Sequence, residues 1–469
     1  MKQLLLIMTM ILWAASAQAA TRYVDGGVAV SGNGLSWSTA WKTIADIAGL
    51  NPGDTVYFSG GSSGRTYSTP VDWQPPSGSA GGGPITYAVG QDKGHNGMVA
   101  FTRAGTSARM SFISLDTTRY ITINGGVNGQ RRMTVDKSFA YLFYTQNMAD
   151  KHVRLLYVEW NGPAILSYGN YYEIAYCYGI APLSEGASSS DGFIQYIGSG
   201  GSSSGYGLNS IHHNHFEVPH KKSAGEGFDL LKWVGSVDIY NNTFLSVYNP
   251  GYTGNQHNDG IQTGASFVRV YNNYFENFNS YPIFNQMFGD TAHWRIYNNV
   301  INAQESGVDW TAYHCMALGF PVTGKTVSDY IVANNTCIGG ANRRGIHFNT
   351  GAVGTIGADV YLVNNLVYDS DTVVTWNGPG TPTVSNNVGG TSNLGFVNNA
   401  LFPIADFRLT AAATSAIDQG IRPSYLTSVY TTDKTGGSRM LKPTWDIGAY
   451  TSDGQDQVTP SPPLNLFIK

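Results

Sequence analysis

Seven segments of the chain repeat one pattern, an alternation of apolar and polar residues that turns at an asparagine. They read SIHHNHFEV (210–218), VDIYNNTFLS (237–246), VRVYNNYFEN (268–277), WRIYNNVINA (294–303), YIVANNTCIG (330–339), VYLVNNLVYD (360–369) and TVSNNVGG (383–390). The asparagine in register falls at 214, 242, 273, 299, 335, 365 and 387, at intervals of 22 to 36 residues. Weaker copies come earlier, in RYITINGG (119–126), HVRLLYVEW (152–160) and YEIAYCYGI (172–180). Units this short cannot bury their own apolar face, so they must stack on one another.

Stacking the copies produces columns. Ile211, Ile239, Val270, Ile296, Val332 and Leu362 make one apolar file; Phe216, Phe244, Phe275, Ile301, Cys337 and Val367 make a second. The asparagines make a third, in which each side-chain amide can bond the rungs above and below. No long helical periodicity separates the strands, which excludes a doubly wound sheet. Composition agrees: 57 glycines and 29 tyrosines, against 27 lysines and arginines together, suit strands and tight turns better than helices. The expectation is an all-β solenoid of about ten coils.

On these columns the chain resembles the right-handed parallel β-helix proteins of the pectin-lyase-like superfamily, from about Tyr23 to Tyr450. RYVDGGVAVSGNGLSWSTAWKTIADI…NPGDTVYF resembles the first coil of secreted members. There a short amphipathic helix near 38–49, carrying Trp41, Ile44, Ile47 and Ala48, would cap the solenoid ahead of a strand at Thr55–Phe58. DFRLTAAATSAIDQG…WDIGAYTS resembles the closing segment, and both ends need covers because an open coil exposes core and strand edge.

The expected organisation is one β-helix domain, 21–450, between a leader and a tail. MKQLLLIMTMILWAASAQAA has one lysine, an apolar run too short to span a bilayer and a small-residue cleavage site, so residues 1–20 read as a secretory signal. Export to the periplasm or the medium follows. Residues 451–469 are a Pro-rich, polar tail or linker. Three cysteines, Cys177, Cys315 and Cys337, allow at most one bridge, and buried free thiols are the expected state. A net charge of −4 argues against nucleic acid, and no segment after the leader is apolar enough for a membrane span. A monomer is expected, with tyrosine and tryptophan suited to sugar rings.

Acid–glycine pairs recur in SDGFIQYIG (190–198), GEGFDLLKWVG (225–235) and HNDGIQTGA (257–265). Aligned on those pairs, Asp191, Glu226 and Asp259 form a column on three coils about 4.8 Å apart. Like charges at that pitch raise one another's pKa or require a cation such as Ca²⁺. Asp-Gly is also an ordinary turn signal. Around the column stand His220, Lys221 and Lys222 in the loop before Glu226, His257 before Asp259, and Asp229, Lys232 and Gln262 further along the strands. His212 is read as topping a row with Tyr240, Tyr271 and Tyr297, and Asp238, Arg269 and Arg295 as an outward ion-pair file.

The resemblance implies activity on a polysaccharide, here an acidic one. For β-elimination, Asp191, Glu226 and Asp259 would hold Ca²⁺ against the uronate carboxylate. Lys221, His220 or His257 would take the C5 proton, with Asp229, Lys232, Lys222 and Gln262 binding substrate. Paired carboxylates, Glu226 and Asp259 among them, would instead serve a glycoside hydrolase. A non-catalytic glycan-binding solenoid is the third reading, since fold alone does not decide. The Asn-Thr-Asp-Gly and Gly-His-Gly segments of polygalacturonase-like hydrolases and the Asp-Pro-His segment of C5-epimerases are absent.

Overall fold

A computed structural model describes residues 19–452 apart from 108, 182–191, 199–204, 221–228, 250–257, 279, 287–288, 304–313, 321–323, 340–343, 350–353, 358, 369, 371, 391–393, 400–401 and 404. The chain winds repeatedly through three parallel sheets of 14, 12 and 10 strands. A representative coil runs through Val237–Tyr240 in the first sheet, Thr243–Tyr248 in the second and Ile261–Thr263 in the third, then rises to Val268–Tyr271. This is a right-handed parallel β-helix. Along the first sheet thirteen strands follow one another, so the solenoid is longer at one side than the ten coils expected.

Both apolar files form as read. Ile239 lies between Ile211 and Val270, and Phe244 between Phe216 and Phe275, with all six side chains fully buried. The asparagines explain why the files keep register. Asn242 Nδ2 donates to Asn273 Oδ1 at 2.9 Å and to the Ile211 carbonyl at 2.8 Å, while the same Oδ1 accepts the Asn242 backbone N–H at 3.1 Å. The pattern continues through Asn299, Asn335 and Asn365 to Asn387. At the other end, Asn214 Oδ1 accepts the Cys177 N–H at 2.9 Å, so Cys177 occupies the ladder position in the coil before.

The first residue of each pair has a separate task. Asn241, Asn272, Asn298, Asn334, Asn364 and Asn386 have φ between 50° and 57°, a left-handed turn that asparagine tolerates better than most residues. Four of these side chains hold the closing segment. Asn298, Asn334, Asn364 and Asn386 donate to the carbonyls of Thr432, Asp446, Ile421 and Gln419 at 2.7–2.8 Å. Tyr430 of that segment stacks on Tyr297 at 4.4 Å, extending the row of His212, Tyr240, Tyr271 and Tyr297. The C-terminal cover thus lies along the turns of the last coils.

Two expectations are corrected. The capping segment forms two 3₁₀ turns, Trp37–Thr39 and Ile44–Asp46, rather than one continuous amphipathic helix; Trp41 between them bridges to Val24 and is buried. Cys337 is not a free thiol. It pairs with Cys315 across the core, their Cα atoms 6.3 Å apart and within disulfide range, because the third-sheet strand brings Cys315 inward beside the second-sheet file. Cys177 is buried and free.

Truncating Asn273 to alanine strands the buried N–H and amide of Asn242. We expect a loss of about 1–3 kcal/mol for each buried group left unpaired. Asn387, half-buried at the ladder's end, should cost less. Phe275→Ala should cost about 3–5 kcal/mol. Urea unfolding of the three variants checks the order.

Candidate functional site

Each third-sheet strand begins with a polar or small residue, turns two residues into the core, then sends the next one outward. The series reads GFIQ (192–195), DLLK (229–232), DGIQ (259–262), YPIF (281–284), HCMA (314–317) and RGIH (344–347). Leu230 and Leu231 both belong to the core, so Asp229 and Lys232, on either side of them, lie together on the side of the sheet away from it, where both are buried. Backbone pairing sets Gly192 against Asp229, and Gln195, Lys232, Gln262 and Phe284 in one file.

This register corrects the expected column. Asp229, not Glu226, is the strand neighbour of Asp259: the Asp259 N–H donates to Asp229 Oδ1 at 2.9 Å, and the Leu230 N–H to the Asp259 carbonyl at 2.9 Å. Aligning the strands on acid–glycine pairs displaced the middle one by three residues and the first by one, since Gly192 rather than Asp191 stands opposite Asp229. Nor are these carboxylates exposed; Asp229 and Asp259 are both 0% accessible. Each spends an oxygen on the next coil, Asp259 Oδ1 accepting the Tyr281 N–H at 2.9 Å. Asp259 is therefore a coil-to-coil brace as much as a turn residue.

Asp229 has a second partner. Its Oδ2 accepts from Lys232 Nζ at 2.5 Å, in a pair whose side chains are 0% and 1% exposed. Lys232 Nζ also lies 5.9 Å from the centroid of the Trp233 ring. A side chain at position 192 would meet the Lys232 Cβ at 2.7 Å, so Gly192 is required by the lysine stem. Gln262 is 3% exposed and donates from Nε2 to Gln286 Oε1 at 2.6 Å. Its own Oε1 has no hydrogen-bond partner among the described residues.

The other expected residues divide in two. Asp191, Lys221, Lys222, Glu226 and His257 lie outside the described residues, as do residues 1–18 and 453–469. His220 ends the second-sheet strand His215–His220, where its backbone pairs with Tyr248. His212 is structural: it stacks on Tyr240 at 4.7 Å and approaches Glu173 at 3.4 Å. That contact, with Arg154, holds the Glu173 carboxyl down at about 2 against the burial that would raise it. Asp238 and Arg269 form the expected surface ion pair, while Arg295 pairs with Asp329.

Two of the three residues expected to hold calcium, Asp191 and Glu226, lie outside the described residues. Asp229 is engaged by an ammonium and an amide, Asp259 by an amide, and among the described residues no three His, Cys, Asp or Glu side chains are grouped to hold a metal ion. The sequence reading missed Gln195, Tyr281, Gln286, His314 and His347, which share this face; all but Gln195 sit in strands without an acid–glycine pair. The four-residue strand unit, aligned on its two inward residues, would have found all but Gln286.

No family model matches the chain, and no curated protein does. Among solved structures it is similar to pectate lyase Pel9A, with 15% identity over 93% of this chain and 98% of that one, at a TM-score of 0.52. An alginate lyase from a Paenibacillus species matches 78% of this chain and 99% of its own at 12% identity and a TM-score of 0.38. A lacto-N-biosidase from Eubacterium ramulus matches 78% and 68% at 10% identity and a TM-score of 0.36. The likeness to the pectate lyase shows the fold. Among the described residues no helix is long and apolar enough to cross a membrane.

Removing one member of a buried ion pair leaves the other uncompensated. Lys232→Met should cost about 3–5 kcal/mol, and the double change Asp229→Asn with Lys232→Met, which keeps an acceptor for the Asp259 N–H, should restore part of it. A urea-unfolding cycle over the four proteins checks both steps.

Proposed function

We propose that the chain is a polysaccharide lyase acting on uronic-acid residues by β-elimination. The observation that carries this is the Lys232 ammonium, fixed by Asp229 on the outward face of the third sheet between Gln195 and Gln262. β-Elimination needs a positive charge on the uronate carboxylate, so that the C5 proton becomes acidic. A base takes that proton, the electron pair forms the C4–C5 double bond, the C4–O bond breaks and the leaving oxygen takes up a proton. Lys232 supplies the charge in an environment where it is worth more than in water. Asp229 and Asp259 hold it in place, through the ion pair and the amide that joins their coils. The base comes from His220, Lys221 or His257, in the segments that precede the two strands. The fold shared with a pectate lyase supports the reading.

Hydrolysis by a carboxylate pair fits less well. Asp229 accepts from an ammonium and an amide at once, whereas a general acid has to donate. Calcium is assigned no step.

Purified protein should turn over polygalacturonate or alginate with the ultraviolet absorbance of an unsaturated uronate, and should do so in chelator. Lys232→Gln, paired with Asp229→Asn to keep the fold, should lower kcat/KM by about 10²–10³-fold. New reducing ends without that absorbance would mark a hydrolase. Activity lost in chelator and restored by Ca²⁺ would move the charge from Lys232 to a metal.

A further inference from the structure

The outer face of the third sheet changes character two coils beyond Lys232. Tyr281, Phe284 and Phe320 cluster there, with ring centroids 4.9 Å apart for Tyr281–Phe284 and 5.4 Å for Phe284–Phe320. His314 stacks parallel to Tyr281 at 6.2 Å and to His347 at 4.5 Å, carrying the surface two coils further. Tyr281, Phe320 and His347 are partly exposed. The outward positions of a solenoid sheet are ordinarily polar, so a continuous aromatic shelf there is informative. Gln262 stands between the shelf and Lys232, in register with both Lys232 and Phe284. Its carboxamide is held on one side by Gln286, and its other polar atom is buried without a partner among the described residues. Turning both amides round exchanges the roles but still leaves Gln262 with one unsatisfied atom.

Resting on the reading that the chain acts on a polysaccharide, we propose that Gln262 and the Tyr281–Phe284–Phe320 shelf form a sugar subsite on the C-terminal side of Lys232. A pyranose ring lies with its apolar face on Tyr281 and Phe320, which the buried Phe284 supports, and a ring hydroxyl donates to Gln262 Oε1. Gln286 is a positioning residue that fixes the carboxamide. The acidic group goes to Lys232, while this subsite reads hydroxyl pattern and ring face. Specificity among uronates is then set at Gln262 rather than at the charged pair, because a buried polar group left unpaired discriminates against sugars lacking the matching hydroxyl.

The test is calorimetric binding of tetragalacturonate, tetramannuronate and cellotetraose to four full-length proteins. These are the wild type, Gln262→Leu, Tyr281→Leu, and Lys232→Gln with Asp229→Asn, all four also assayed for turnover. Gln262→Leu should weaken the best-bound tetrasaccharide about 5- to 10-fold, with a smaller effect on the others. Tyr281→Leu should weaken all three alike. Binding that is unchanged in Gln262→Leu, or absent for all three probes, overturns the subsite. Binding that depends on Gln262 while no uronate is turned over would retain the subsite and remove the lyase. Elimination indifferent to Gln262 and Tyr281 would do the reverse.

Discussion

Everything about this protein's outer face depends on the buried asparagine ladder. A parallel strand can slip against its neighbour, and a slip of one residue exchanges its inward and outward sets. Each ladder asparagine prevents this by bonding the next coil through both its amide and its carboxamide, in a setting where an unpaired amide is costly. Because the ladder fixes the first and second sheets, the third is left to carry the variation. There the outward residues run from Gln195 and Lys232 through Gln262 to Phe284 without disturbing the core behind them.

The Asn-Asn pair also joins two problems in one dipeptide. Its second member holds coil to coil inside; its first takes the left-handed turn and, in the last four coils, receives the closing segment. A solenoid must end in something that covers its final rung. Here the cover lies lengthwise over the same asparagine turns, so one repeating sequence element serves both propagation and termination.

The fold was legible because period-two alternation and the asparagine column are local and repeat many times. Phe216, Phe244 and Phe275 could be stacked from the sequence alone, and the structure stacks them. For the candidate site, the sequence singled out residues that the third sheet brings together but not their register. Asp229, Lys232, Asp259 and Gln262 were all singled out, yet the acid–glycine pairs used to align them belong to different places in the coil. The loops from the second sheet to the third differ in length, so counting from the ladder cannot recover the offset. Two consecutive inward residues, Leu230 and Leu231, carry that information, and strict alternation overlooks them. The cap failed for a related reason: Trp41, Ile44 and Ile47 have helical spacing, but Trp41 is drawn into a bridge with Val24.

The central claim is that substrate lies on the third sheet with its acidic group at Lys232. A crystal structure of the protein soaked with a uronate tetrasaccharide tests it most directly. A uronate carboxylate should lie within hydrogen-bonding distance of Lys232 Nζ, with the neighbouring ring over Tyr281. Sugar bound on the first or second sheet, with the Asp229–Lys232 pair untouched, would contradict it.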